Sequence, residues 1–154
     1  MIRLEKKESI YFLTMDADEN RWNTTFVREI ADALDEIEKD EGPGALISSS
    51  TNPKFYSNGL DLDWMQAPEN HPDGGDREVF GEEFMYLMGR FITLPIPTVC
   101  AINGHAFGAG FMFALSHDVR IMREDRGFIC ANEMQLGLPI PRPELALFKH
   151  KIPA

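Results

Sequence analysis

Residues 1–15 alternate between apolar and polar positions. Ile2 and Leu4 are separated by the charged Arg3, and a more apolar run covers residues 10–15. Alternation with a period of two is typical of β-strands, because successive side chains point to opposite faces of a sheet. The pattern therefore predicts a hairpin of two strands with its turn at residues 6–8.

Helical spacing replaces this alternation further along the chain. Apolar side chains recur one helical turn apart from Phe26 to Ile37. Asn23 or Thr24 is placed to cap such a helix at its N-terminus, and the Gly-Pro-Gly sequence at residues 42–44 ends it. These signals predict a helix between them. The short apolar run after it indicates a parallel strand that is reached by a crossover connection.

Strand-like and helical runs then alternate to the end of the chain. A second helical pattern covers residues 80–91 and stops before Pro95, and a glycine-rich turn opens an apolar helix at residues 108–115. Residues 66–76 combine turn-forming residues with no periodicity, which predicts a surface loop and a mobile flap. A last helix-like run begins at Pro141. The predicted strands after the first helix are residues 45–49, 98–102, 119–122 and 127–131.

This order of elements predicts one layered α/β domain over residues 1–154. The net charge of −10, with 25 acidic and 15 basic residues, argues against nucleic-acid binding, which needs a concentrated basic face. The chain has neither the apolar run of about 20 residues that a membrane span needs nor the apolar core of a signal peptide. We therefore expect a cytoplasmic protein that binds neither nucleic acid nor membrane.

Two glycine-containing turns follow predicted strands, at residues 55–62 and 103–110. Turns at strand ends and helix N-termini present backbone N–H groups to ligands, and two such groups that converge form an oxyanion hole. Each glycine alone is equally consistent with a simple tight turn. Neither segment is a dinucleotide or nucleotide-phosphate motif, no nucleophile elbow surrounds Ser48, and no His or Cys pair has the spacing of metal ligands.

Taken in this order, the two segments resemble the crotonase (enoyl-CoA hydratase/isomerase) family. The family pattern F-x-(S/A)-G-x-D-(L/I) is matched by Phe55 and residues 57–62, with Asn58 in the small-residue slot. The pattern P-x-(I/V)-A-x-(I/V)-N-G-x-A-x-G-x-G is matched by residues 97–110. The segments SNGLDL, NGHA, ALSHD, MREDRG and NEMQLGLP are similar to those of Δ3,Δ2-enoyl-CoA isomerases, including the plant peroxisomal type.

The resemblance implies a fold, a ligand and a set of site residues. The fold is an α/β crotonase-like ββα spiral core, without the helical layer that follows it in the family. The catalytic groups are the N–H donors of Leu60 and Ala109 and the acid/base Glu133. The neighbouring positions expected to contact substrate are Ser57, Asn58, Gly59, Asp61, Gly108, Gly110 and Met112. Arg21 and Lys54 are candidate partners for the CoA phosphates.

Glu133 and Met112 distinguish the reactions of the family. A lone glutamate is usually a solvated surface group, but the apolar neighbours Ile129, Cys130 and Leu136 suggest that Glu133 is partly buried, which suits a carboxyl group to carrying protons. The acid that hydratases carry in addition falls on Met112, and a thioether cannot activate water. The resemblance therefore implies an isomerase that shifts a 3-enoyl-CoA double bond to the 2-trans position in fatty-acid β-oxidation.

Several alternatives remain open from the sequence. A hydratase or another enolate reaction of the family uses the same oxyanion hole, and a shortened chain could bind acyl-CoA without turnover. No cofactor is expected, because acyl-CoA is the substrate. The family also implies a homo-oligomer, a trimer or hexamer, and peroxisomal import is compatible with it. Residues 143–151 begin a helical layer, so we expect apolar surface to stay exposed unless another chain covers it.

Overall fold

The computed structural model describes residues 1–152. This part of the chain contains eight strands in two sheets and five α-helices. The strands are β1 (Ile2–Lys7), β2 (Ile10–Met15), β3 (Ala45–Ser50), β4 (Phe55–Ser57), β5 (Thr98–Ile102), β6 (His105–Phe107), β7 (Val119–Met122) and β8 (Ile129–Cys130). The helices are α1 (Thr24–Glu38), α2 (Leu62–Gln66), α3 (Phe80–Thr93), α4 (Ala109–Ser116) and α5 (Arg142–Lys151).

The larger sheet has the order β1-β2-β3-β5-β7, and the smaller sheet has the order β4-β6-β8. β1 and β2 pair antiparallel, whereas the other neighbours in both sheets pair parallel. Parallel neighbours require long crossover connections, and α1 and α3 supply two of them. The predicted α/β class is confirmed.

The chain repeats one simple unit after α1. A strand joins the larger sheet, the next strand joins the smaller sheet, and helical structure follows. This holds for β3, β4 and α2, for β5, β6 and α4, and for β7, β8 and α5. The ββα order that the resemblance implied is thus confirmed, and it brings the ends of β4, β6 and β8 to the same edge.

Most element boundaries follow the sequence patterns closely. Asn23, rather than Thr24, caps α1, because its side chain accepts a hydrogen bond from the Phe26 N–H at 2.9 Å. β1 extends through Lys7, so the hairpin turn lies on Glu8 and Ser9 instead of residues 6–8. The predicted loop at 66–76 contains two short 3₁₀ turns, Pro68–Asn70 and Pro72–Gly74, and its mobility stays a prediction.

An aromatic cluster centred on Trp22 ties the helices to the sheets. The Trp22 ring meets Phe26 and Phe84 at centroid distances of 5.0 Å and Phe113 at 5.1 Å, all edge to face. This geometry is favourable for aromatic quadrupoles and adds to the burial of large apolar area. α4, which carries Phe113, is buried at every residue, so it runs through the core and not over its surface.

A buried polar network lies beneath α4. The His117 side chain lies within 2.8 Å of Ser48 Oγ through Nε2 and of the Phe113 carbonyl through Nδ1, and Ser48 Oγ is 2.8 Å from Tyr56 Oη. Since a carbonyl only accepts, Nδ1 donates, and Nε2 accepts from Ser48 in the neutral ring. His117 and Ser48 are completely buried, so the pair is structural and has no access to a substrate.

Apolar side chains are exposed at the edge formed by β7 and β8. Ile121 is 61% exposed and Phe128 is 70% exposed, and Val119 and Ile129 also face outward. The expected exposed apolar surface is therefore present. No helix within residues 1–152 is long and apolar enough to span a bilayer.

The buried histidine predicts a pH dependence of stability. Burial lowers the pKa of His117 from its usual 6.5 to about 4, with Arg120 acting in the same direction and Asp118 against it. Between pH 6.5 and 4 the unfolded chain binds a proton that the folded chain does not, so stability falls as the pH falls. We expect this group to remove about 2 kcal/mol from the free energy of unfolding between pH 7 and pH 5.

Denaturant unfolding at the two pH values measures this effect. The drop should be about 2 kcal/mol smaller in His117→Gln, although that variant is less stable at pH 7. The exposed His150 supplies the control, and His150→Gln should keep the full drop. An equal drop in the wild type and in His117→Gln would show that burial does not lower the pKa of His117.

Candidate functional site

The carboxyl ends of β4, β6 and β8 form one edge of the smaller sheet. Each strand is followed by a turn that reaches a shared cavity of about 330 Å³. Ligands of parallel sheets bind at this end of the strands, where chain turns expose backbone groups. The wall contributed by these turns consists of Asn58, Gly59, Leu60, Gly108, Ala109, Asn132 and Glu133.

The turn after β4 is held in place by a short bridge to Trp22. The Trp22 N–H donates to the Gly59 carbonyl at 2.8 Å, and the Asp61 N–H donates to the Trp22 carbonyl at 2.9 Å. These bonds use the groups on either side of Leu60. Its own N–H has no hydrogen-bond acceptor among the described residues, and Leu60 lines the cavity.

The turn after β6 leaves a second backbone N–H without an acceptor. Gly108 has φ +48°, which only glycine adopts readily, and α4 begins at the next residue. The first N–H of a helix has no acceptor inside that helix, and for Ala109 the described residues supply none outside it. A Cβ on Gly59 would stand 3.8 Å from the Ala109 nitrogen, so the two turns are in direct contact.

Glu133 reaches the same place from the turn after β8. Its side chain is buried, and Oε1 lies 3.2 Å from the point where a Cβ on Gly108 would stand. Oε2 is also buried, and it has no hydrogen-bond partner among the residues described. A buried polar atom without a partner costs free energy and is typical of sites built for a ligand. The predicted partial burial of Glu133 is confirmed.

The remaining sequence-predicted positions divide into two groups. Asn58 and Met112 line the cavity, and Met112 is nearly inaccessible at 2% exposure. Ser57, Asp61 and Gly110 lie outside the wall, because each serves the framework instead.

Ser57, Asp61 and Gly110 hold the two turns in shape. Ser57 Oγ accepts from the Trp22 indole at 3.0 Å and donates to the Asn20 carbonyl at 2.7 Å. The Asp61 carboxylate caps α2 by accepting from the Trp64 N–H at 3.1 Å. Substrate contact at these three positions stays a prediction.

The two candidate cations have different surroundings. Arg21 lines the cavity, where its guanidinium pairs with Glu19 at 2.8 Å and with Asp63 at 3.3 Å. Lys54 lies over the Phe55 ring at 4.8 Å and does not line the cavity. The structure therefore brings Arg21, and not Lys54, to the site.

A second carboxyl group, which the sequence patterns did not single out, also lines the cavity. Glu144 stands in the first turn of α5, and burial, followed by the nearby charge of Glu133, raises the pKa of its carboxyl to about 7. The apolar run of α5 indicated a helix, but nothing in the sequence indicated which of its faces meets the cavity. The cavity thus holds two carboxyl groups, whereas the sequence argument assumed one.

Comparison with known proteins finds a matching family model and several relatives. The family model for enoyl-CoA hydratase/isomerase matches residues 5–152. Enoyl-CoA delta isomerase 2, peroxisomal, of Arabidopsis thaliana is 35% identical over 99% of this chain and 64% of its own length. The alpha subunit of the fatty acid oxidation complex of Aliivibrio fischeri is 30% identical over 86% of this chain and 18% of its own length. The chain spans about 64% of the length of that isomerase relative.

Solved structures share the fold over almost the whole chain. An enoyl-CoA isomerase of Mycobacterium tuberculosis superposes with a TM-score of 0.80 at 26% identity, covering 96% of this chain and 62% of the other. An enoyl-CoA hydratase of Mycobacterium ulcerans gives 0.82 at 25% identity, with the same coverage of 96% and 62%. Proteins named for both reactions therefore have this architecture.

The close packing of the turns predicts the effect of a methyl group at Gly110. A Cβ there would stand 2.6 Å from Ser57 Oγ and 2.8 Å from the Ser57 carbonyl oxygen, so the start of α4 must move away from β4. We expect Gly110→Ala to lower the free energy of unfolding by about 1–3 kcal/mol. Thermal and denaturant unfolding measure the change.

Gly89 in α3 is the matched control, because a Cβ at this exposed helical position meets nothing within 4 Å. Gly89→Ala should raise the free energy of unfolding by about 0.5–1 kcal/mol, since alanine has the higher helix propensity. Equal effects of the two substitutions would contradict the packing described for α4 and β4.

Proposed function

The chain belongs to the enoyl-CoA hydratase/isomerase family, and within it we propose an isomerase that converts a 3-enoyl-CoA into the conjugated 2-trans-enoyl-CoA. One observation carries the proposal. Two backbone N–H groups without acceptors among the residues described stand at the wall that also holds the buried carboxyl group of Glu133. Donors for an oxyanion beside a proton carrier are what enolate chemistry requires.

The proposed reaction begins at the thioester carbonyl. Its oxygen accepts hydrogen bonds from the N–H groups of Leu60 and Ala109, and these strengthen as negative charge develops on the oxygen. The C2 protons become acidic, and the Glu133 carboxylate removes one of them. The resulting dienolate is protonated at C4, and the double bond comes to rest between C2 and C3. No cofactor takes part.

Hydration of a 2-enoyl-CoA is the second candidate, and Glu144 is the observation that favours it. Hydration needs two groups to position and split a water molecule, and the thioether of Met112 provides neither acid nor base. Glu144 supplies a second carboxyl group in the same cavity from a different element, α5. The absence of an acid at Met112 therefore does not by itself exclude water addition.

Assembly and location are part of the proposal. We propose that the exposed edge of β7 and β8 pairs with another copy of the chain in a homo-oligomer, which sedimentation velocity would measure. The large exposed side chains Ile121 and Phe128 support this, because apolar surface of this kind is commonly covered in an assembly.

The isomerase relative of Arabidopsis thaliana bears a peroxisomal name, so we propose a peroxisomal or cytoplasmic location for this protein, which imaging of a tagged chain would distinguish.

Product analysis separates the candidate reactions. Purified protein is incubated with a 3-enoyl-CoA and separately with a 2-enoyl-CoA, and the products are resolved by chromatography and mass. Isomerisation gives a conjugated thioester of unchanged mass, hydration adds the mass of one water, and hydrolysis releases free CoA. Acyl-CoA binding without any of these products would instead support a binding chain and overturn the proposed enzyme.

Substitution of Glu133 tests the proposed base. Glu133→Gln preserves the shape of the side chain but cannot take up a proton, so we expect the isomerisation rate to fall by about 10²–10⁴-fold. The exposed Glu124 provides the control, and Glu124→Gln should retain the wild-type rate. A folded Glu133→Gln protein with unchanged rate would remove Glu133 from the mechanism.

A further inference from the structure

Glu144 is fixed in the cavity by the docking of α5 onto α4. Leu147 is buried, and the Phe148 ring stacks on Phe111 of α4 with centroids 5.8 Å apart. At the other end of α5, the Lys151 ammonium reaches the His117 carbonyl at 3.5 Å. Glu144 lies one helical turn before Leu147 and Phe148, so its side chain projects from an anchored helix into the cavity.

The wall of this cavity contains three charged side chains among the residues described: Arg21, Glu133 and Glu144. Arg21 is already paired with Glu19 and Asp63 at the outer side. The two carboxyl groups are close enough to interact, and like charges that share a site disfavour simultaneous ionisation. A proton on Glu144 is therefore favoured near neutral pH.

The surroundings of Glu144 explain why it holds a proton. Desolvation first, and the Glu133 charge second, raise the pKa of Glu144 to about 7. An acid with a pKa near the working pH is an effective proton donor, because it is protonated in the ground state and still gives up its proton readily. Glu144 is thus suited to donate a proton.

We propose that Glu144 is the acid that protonates C4 of the dienolate, while Glu133 is the base that removes the C2 proton. The inference rests on the proposed isomerase function and assigns its two proton transfers to different residues. The roles come from the position of both carboxyl groups on one cavity wall, with Glu133 against the turn that carries the Ala109 donor.

The proton balance of this reaction closes within the site. The Glu133 carboxylate takes a proton as the C2–H bond breaks, and the electron pair moves into the dienolate. The O–H bond of Glu144 then breaks as a C4–H bond forms, which leaves Glu144 ionised and Glu133 protonated. Release of the Glu133 proton to solvent and uptake of a solvent proton by Glu144 restore the starting state, so no other reactant is consumed.

Isotope labelling distinguishes this route from a single-base shuttle. A 3-enoyl-CoA carrying deuterium at C2 is converted in ordinary water, and the product is analysed for deuterium at C4. With two carboxyl groups, C4 receives the proton of Glu144 in the first turnover and little or no deuterium. A single base that carries the same atom from C2 to C4 would leave deuterium at C4, and this result in the wild type would overturn the proposal.

The variant Glu144→Gln supplies the second readout. We expect its isomerisation rate to fall by about 10²-fold, and we expect the loss of wild-type rate above pH 7 to disappear from its pH profile, because the titrating donor is gone. Glu144→Asp, which keeps an acid, should recover part of the rate. Thermal unfolding verifies that both variants fold, and Glu124→Gln again serves as the control.

The possible outcomes distinguish failure of the proposed function from failure of the role proposed for Glu144. If the wild type produces no conjugated thioester, the proposed function fails and this inference fails with it. If the wild type isomerises but Glu144→Gln keeps its rate, or loses rate without a change in pH profile, the proposed function stands and Glu144 is not the donor. Reduced rate, an altered profile and no deuterium at C4 together support the proposal.

Discussion

Direct contact between two backbone turns is the constraint on which the site depends. At Gly59 a Cβ would stand 2.8 Å from the Phe107 carbonyl oxygen, and at Gly110 it would stand 2.6 Å from Ser57 Oγ. Real side chains do not fit at these distances, so the turn after β4 and the start of α4 can approach only because both residues lack a Cβ. This approach brings Leu60 and Ala109 to one cavity and explains why glycine is needed beside these two residues instead of at them.

The sequence predicted the parts of the fold that have strong local signals. The hairpin, α1 with its Asn23 cap, α3 and the strands of the larger sheet follow from periodicity and capping residues. β4 and β6 have three residues each, too short for alternation to distinguish them from turns, and their pairing depends on contacts between distant segments. The turns that hold Leu60 and Ala109 were found from glycine spacing, whereas Glu144 was missed because its position depends on how α5 docks through Leu147 and Phe148.

The polar groups of the core and of the site are treated differently by the fold. His117, Ser48 and Tyr56 form a closed network in which each buried polar atom has a partner, so burial there adds to the definition of the structure. Glu133 is buried with one carboxylate oxygen that has no partner within the described residues. Departures from local stability rules of this kind concentrate at functional sites, where a ligand or a proton completes the arrangement. The contrast separates the buried Ser48–His117 pair, which is structural, from the carboxyl groups at the cavity.

Backbone groups and side chains have different parts in the proposed reaction. In the proposed mechanism, activation of a thioester by Leu60 and Ala109 uses peptide N–H groups, so it does not depend on the identity of either side chain. The choice among isomerisation, hydration and other enolate reactions then depends on where carboxyl groups stand around the activated carbon atoms. In this chain Met112 on α4 provides none, and the two carboxyl groups come from the turn after β8 and from α5. Because α5 packs on α4 without forming part of either sheet, a shift of this helix would move Glu144 relative to Glu133 and leave the oxyanion donors in place. The same framework can therefore support different reactions through changes in its last elements alone.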